Sequence, residues 1–175
     1  MNIKSWLPFD RYTLVSRLSV AEVMSRLEAN VTARKLNAVL FVQHYGTKKD
    51  SSDKPYKGVI KEQTFEIERI INYRNSFVPV IKGEVSHFLG QTEIKVKSSP
   101  HVAVLVFCAF WMSVVLLVCL AVTAVMLRGG FEFPMLIPFG MLVFGCLLFT
   151  IPYKLEANKS KKFLATLLEG EEVKI

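Results

Sequence analysis

Residues 102–127 read VAVLVFCAFWMSVVLLVCLAVTAVML, 26 positions in a row without Asp, Glu, Lys, Arg or His. At about 1.5 Å of rise per residue such a helix is longer than a hydrocarbon core of roughly 30 Å, so the stretch predicts a tilted transmembrane helix. After a short turn, FPMLIPFGMLVFGCLLFTIPY (residues 133–153) makes a second uncharged run of 21 residues, with Pro134, Pro138 and Pro152 placed to shift or kink its ends. Arg128 and Glu132, the only Asp, Glu, Lys or Arg side chains between residues 102 and 153, both fall in the turn. Together the two runs predict a transmembrane hairpin.

Charge outside the hairpin orients it. Of the 22 Lys and Arg, 16 precede His101, five follow Tyr153 and one, Arg128, lies between the spans. The positive-inside bias therefore predicts both flanking segments on the cytoplasmic side of the membrane, as a multi-pass protein. Residues 1–8 lack the apolar run and cleavage site of a signal peptide, which leaves insertion to the spans themselves. Lys97 and His101 before the first span, and Tyr153, Lys154, Lys159, Lys161 and Lys162 after the second, are expected at the membrane interface. Anionic lipid headgroups attract each such cation by at most about 1 kcal/mol. The pI of about 9.4 is also compatible with nucleic-acid binding, but the basic flanks already account for it and nucleic acid is the poorer partner.

Around the hairpin the pattern is that of a mixed domain. Residues 12–18 alternate as a strand, and Ser19 with Glu22 forms a capping box ahead of an amphipathic helix from Val20 to Asn30. Residues 34–43 favour a strand through Val39, Phe41 and Val42, and residues 46–55 (GTKKDSSDKP) form a polar loop. Four strands follow at 56–62, 64–71, 77–88 and 91–98, an antiparallel meander with one wet face, a turn at Leu89-Gly90-Gln91 and a bulge at Gly83. Residues 155–168 predict a closing amphipathic helix. Trp6, Leu7, Pro8 and Phe9 read as a plug for the core in preference to a membrane anchor.

The fold class predicted is an α+β membrane protein: an antiparallel β-sheet with covering helices and an inserted two-helix transmembrane hairpin. Residues 1–101 supply most of a cytoplasmic domain, 102–153 the hairpin, and 154–175 the helix that completes the domain. This order resembles the START-like helix-grip topology, in which a strand and helix precede a curved antiparallel sheet and a closing helix packs across it. It departs from that family in its short length and in carrying a hairpin before the closing helix. Residues 71–83 (INYRNSFVPVIKG), 136–142 (LIPFGML) and 156–164 (EANKSKKFL) also resemble short two-span bacterial membrane proteins of no assigned activity, a resemblance that implies the inner (plasma) membrane of a bacterium as the setting.

For function, Tyr73-Arg74-Asn75-Ser76 is the densest polar cluster beside an apolar strand. Arg74 is a candidate anion clamp, with Asn75 and Ser76 as hydrogen-bond donors to a headgroup or phosphate. The plain alternative is a turn whose Asn and Ser bond nearby backbone. His87, His101 and the Glu66/Glu68 pair have no accompanying catalytic motif. Cys108, Cys119 and Cys146 all lie in the spans, and no Cys or His pair has metal-ligand spacing, so neither a metal nor a cofactor is expected. The spans carry Ser113, Thr123 and Thr150 but no charge, which argues against coupled transport. The small residues Ala109 and Ser113, four apart, are expected to pack the hairpin against itself. The expectation is a non-enzymatic binding or sensing module that meets lipid, a protein partner or copies of itself. The alternative is a small effector whose hairpins assemble to breach the bilayer.

Overall fold

The computed structural model describes residues 9–33, 54–73, 75–130 and 132–173. Alternation builds β1 (Asp10–Ser16), with Tyr12 and Leu14 buried and Arg11 exposed. Ser19 then caps α1 (Val20–Asn30), its hydroxyl accepting from the Glu22 amide at 3.2 Å. The Glu22 carboxylate turns to Arg26, one helical turn on, at 3.0 Å. Val23, Met24 and Leu27 make the buried stripe of this helix.

A short strand, β2 (Val31–Ala33), pairs parallel with β3 (Tyr56–Lys61). From β3 the expected meander runs through β4 (Thr64–Arg69), β5 (Val80–Phe88) and β6 (Gln91–Ser99), every neighbour antiparallel. The strand expected at 34–43 lies outside the described residues, as do positions 46–53 of the polar loop and Trp6, Leu7 and Pro8. Phe9 is described and is 45% exposed. With β7 (Gly170–Val173) the sheet has seven strands in the order β2-β3-β4-β5-β6-β1-β7. β7 pairs antiparallel with β1. Its sequence, GEEV, carries no apolar alternation, and no strand was expected there.

Gly83 sits in a continuous ladder, opposite Phe65 on one side and Val96 on the other, so the bulge expected there does not form. A side chain at this position would overlap the Phe65 ring, which covers the glycine. Close aromatic packing is the reason β5 carries Gly. At the next turn Leu89 (φ 50°) and Gly90 (φ 80°) both take left-handed backbone, the two-residue geometry that follows the sheet's twist.

One sheet face is core, contributed by Tyr12, Leu14, Phe65, Ile67, Ile81, Val85, Ile94 and Val96. The other is wet and carries cross-strand ion pairs such as Lys82–Glu66 at 2.9 Å. From β6 the chain passes through Pro100 and His101 into α2 (Val102–Met126), turns, and returns through a 3₁₀ turn (Phe133–Leu136) into α3 (Ile137–Leu167). Both helices are long and apolar enough to cross a membrane. Only 11% and 6% of their most apolar stretches are buried inside the protein, unlike the core helix of a soluble domain.

The hairpin contact follows a stripe at alternating spacings of three and four. In α2 it runs through Leu105, Cys108, Met112, Val115, Cys119 and Val122, and in α3 through Pro138, Leu142, Gly145 and Phe149. Ala109 and Ser113 are exposed, off this stripe, so they do not make the helix contact expected of them. The close approach is at Gly145, where an added Cβ would stand 3.1 Å from Met112 Sδ.

The closing helix is not a separate element. α3 runs 31 residues through Pro152 without interruption, and its later half buries Glu156, Ala157, Ser160 and Leu164 against the sheet. Proline cannot donate to the Leu148 carbonyl, but the flanking turns carry the helix across. The division expected at residue 154 is therefore a change of surroundings along one helix. Its far end is tied to α1 and β1: Arg26 donates to the Leu167 carbonyl at 3.1 Å and to Glu169 at 2.7 Å, and the Ser16 hydroxyl donates to the Leu168 carbonyl at 2.6 Å.

Candidate functional site

β4 ends and β5 begins at the same end of the sheet from which β6 continues into α2. The loop between them, residues 70–79, therefore lies at the root of the hairpin. Asn75 shapes it by accepting from the Phe77 amide at 2.9 Å, the turn geometry that Asn supports. Phe77 sets its ring 5.8 Å from that of Phe149, within the apolar half of α3. Loop and helix thus close the two sides of one groove.

At its floor is Glu156, 2% exposed, on the first turn of α3 beyond the apolar stretch. Its carboxylate accepts from three elements: Arg69 of β4 at 2.7 Å, the Tyr73 hydroxyl of the loop, and Lys159 of its own helix at 3.0 Å. Burial pushes the carboxyl up, but the hydrogen bonds from Tyr73, Lys159 and Arg69, with the Arg69 charge, outweigh it and hold it below the usual glutamate value. The same contacts raise Tyr73 through its bond to Glu156 and raise Lys159 through its hydrogen bond and attraction to that charge. One buried anion is met by two cations, which leaves the floor net positive.

Above it opens a cleft of about 590 Å³. Tyr73, Asn75, Ser76 and Phe77 form one wall, and Pro152, Leu155 and Lys159 the other. The cleft is amphipathic: Phe77, Pro152 and Leu155 supply apolar surface, and Tyr73, Asn75 and Lys159 supply polar groups. Among the described residues no three His, Cys, Asp or Glu side chains gather in a way that would hold a metal ion.

Of the site residues expected from sequence, Tyr73, Asn75 and Ser76 come together here, while Arg74 lies outside the described residues. Lys159, expected at the interface, joins them. Arg69 and Glu156 were missed. Glu156 stands among lysines and reads as surface, yet it lies three residues from Tyr153 and four from Ser160, on the sheet-facing side of the helix.

The remaining interface candidates divide. Tyr153 is 1% exposed and donates to the Ser98 carbonyl at 3.0 Å, which makes it a buried clamp between α3 and β6 where an exposed anchor was expected. Lys161 bonds Glu172 at 2.6 Å and lies 4.7 Å from the centre of the Tyr12 ring, so it fastens β7. His101 accepts from the Ala103 amide at 3.3 Å as the cap of α2. Lys97 and Lys162 are exposed, and Lys154 is half-buried. Elsewhere, Glu66 and Glu68 pair separately with Lys82 and Lys57, and His87 bonds the Gln91 carbonyl at the far turn. Neither protein-family models nor curated protein sequences match this chain.

Proposed function

We propose that this chain is an integral membrane binding module: α2 and the apolar half of α3 cross the bilayer, the sheet rests against the cytoplasmic leaflet, and the groove at the hairpin root takes a ligand without covalent chemistry. The observation that carries the reading is the position of the groove. It opens where α3 passes from an exposed apolar surface to sheet-covering residues, and a polar floor beside an apolar wall suits a molecule with both kinds of surface. The charge asymmetry of the sequence supports the cytoplasmic assignment.

The alternative, a pore assembled from hairpins, draws less support. The Ser113 and Thr123 hydroxyls each donate at 2.7 Å to a carbonyl of their own helix, Ala109 and Cys119 respectively, and the exposed surfaces around them are apolar. A water-filled lumen needs a polar face.

Native mass spectrometry of the full chain, released gently from membranes, tests the proposal. A discrete retained mass on wild type, lost in Lys159→Glu and Tyr73→Ala, is expected. No retained mass, or equal retention in both variants, overturns the groove as the site, and a ligand-free ring-sized oligomer favours the pore. A reporter fused after Gly130 is expected to be active only outside the cytoplasm, and activity inside overturns the two-span topology.

A further inference from the structure

The open face of the sheet carries a second feature at the same level as the groove. Arg11 of β1 lies directly opposite Lys97 of β6, and Lys97 lies directly opposite Lys82 of β5. Directly opposed residues share a face with Cβ atoms about 5 Å apart, and like charges placed so repel. Lys82 is compensated by Glu66 at 2.9 Å. Arg11 and Lys97 have no ion-pair partner among the described residues, and both are exposed.

Two residues farther from the hairpin the pattern changes: Lys95 stands opposite Glu84 and bonds Glu93 at 3.2 Å. Beyond that, Glu93 and Glu171 both flank Val15. Near the hairpin the cations of the open face thus outnumber its carboxylates, Glu66 and Glu68 being taken up by Lys82 and Lys57, while farther out Lys95 has two carboxylates beside it. Toward the hairpin, Phe9 stands just before β1, two residues ahead of Arg11, and is 45% exposed. Apolar helix, exposed aromatic ring, then unpaired cations is the order in which a leaflet presents hydrocarbon and then phosphate. Lys97 is two residues from the end of β6, about 7 Å at the rise of a strand, within a physiological screening length of about 8 Å.

We propose that Arg11 and Lys97, with Lys82 beside them, form a contact for anionic phospholipid headgroups that holds the open sheet face to the leaflet. The contact rests on the reading that the hairpin is in the bilayer, and it is independent of what fills the groove. It removes the like-charge cost of the row by supplying the anions that the protein lacks there.

The test is lysine acylation of the full chain in lipid nanodiscs, read position by position by mass spectrometry. In nanodiscs containing phosphatidylglycerol, Lys97 should react about fivefold more slowly than in phosphatidylcholine alone, the effect of roughly one headgroup contact per cation. High salt should restore the rate, Lys95 should be indifferent to lipid, and Arg11→Glu should weaken the protection of Lys97. Equal labelling of Lys97 in the two lipids, in protein embedded in both, overturns the contact and leaves the membrane reading intact. Protection by an added oligonucleotide but not by phosphatidylglycerol also overturns it, in favour of a nucleic-acid surface. A chain that does not enter nanodiscs overturns both readings at once.

Discussion

Glu156→Gln separates a built polar floor from a solvated surface cluster. A hydrogen bond to a buried charge contributes about 1.5–3 kcal/mol. Arg69 keeps 32% exposure and Tyr73 51%, so screening reduces each bond to Glu156 to about 1 kcal/mol. Glutamine preserves the volume and can still accept from one of them, but its amide presents a donor to the other. The variant should therefore lose about 2 kcal/mol, a fall of about 4–8 °C in Tm for a chain of this size. Circular dichroism at the sheet signal, in detergent at neutral pH, reads this directly, and a double-mutant cycle with Tyr73→Phe should show coupling of about 1 kcal/mol. The pH dependence has a definite sign. Because Glu156 is depressed in the folded protein, its contribution is fully present above the ordinary glutamate value of 4.5 and is lost as pH falls through the lower folded value. Wild type and Glu156→Gln should differ constantly at neutral pH and converge well below pH 4.5. An unchanged Tm at neutral pH, or a gap that persists in acid, refutes the reasoning.

Gly83→Ala places a methyl group into the Phe65 ring and should cost about 1–3 kcal/mol in thermal unfolding, with partial recovery when Phe65→Leu is added. Tyr153→Phe removes the donor to the Ser98 carbonyl in a buried setting and should cost about 1–2 kcal/mol in the same assay, where no change would mean the clamp carries no load. Leu89→Asn relieves a non-glycine residue at φ 50° that is 87% exposed and should raise stability by about 1 kcal/mol, with a lowered Tm counting against strain at that turn.

The meander, α1 and the hairpin were legible because each rests on a local periodic signal. Phe65 and Ile67 alternate with Glu66 and Glu68, Ser19 precedes an apolar stripe, and the uncharged runs are long enough as helices to cross a hydrocarbon core. What was not legible depends on partners distant in sequence. β7 exists because Gly170 lies close against Leu14 and Ser16 reaches the Leu168 carbonyl, neither visible in the string GEEV. Gly83 reads as a bulge only until Phe65 is known to cover it. Half of the groove was visible as the cluster at Tyr73, Asn75 and Ser76, since polar side chains beside an apolar strand stand out. Its other half was hidden because Glu156 and Lys159 are typical of a solvated helix face, and only contact with β4 shows that Glu156 is buried.

The position of that floor follows from the helix itself. The buried stripe of α3 that meets α2 at Leu142, Gly145 and Phe149 continues in the same phase through Tyr153, Ala157, Ser160 and Leu164, which meet the sheet. One face serves both partners because β6 reaches α2 through only Pro100 and His101, so α2 stands over the end of the sheet it leaves. Where the stripe passes from one partner to the other, neither α2 nor the sheet interior fills the space, and Glu156 arrives there with its charge. The loop carrying Tyr73 and Phe77 closes that gap from the side, with Tyr73 and Arg69 bonding the carboxylate and the Phe77 ring packed at a tilt against that of Phe149. A rotation of α3 would turn its apolar half and its sheet-covering half through the same angle. It would break the Tyr153–Ser98 clamp and the Glu156 bonds together, and the groove between them would change shape with the helix.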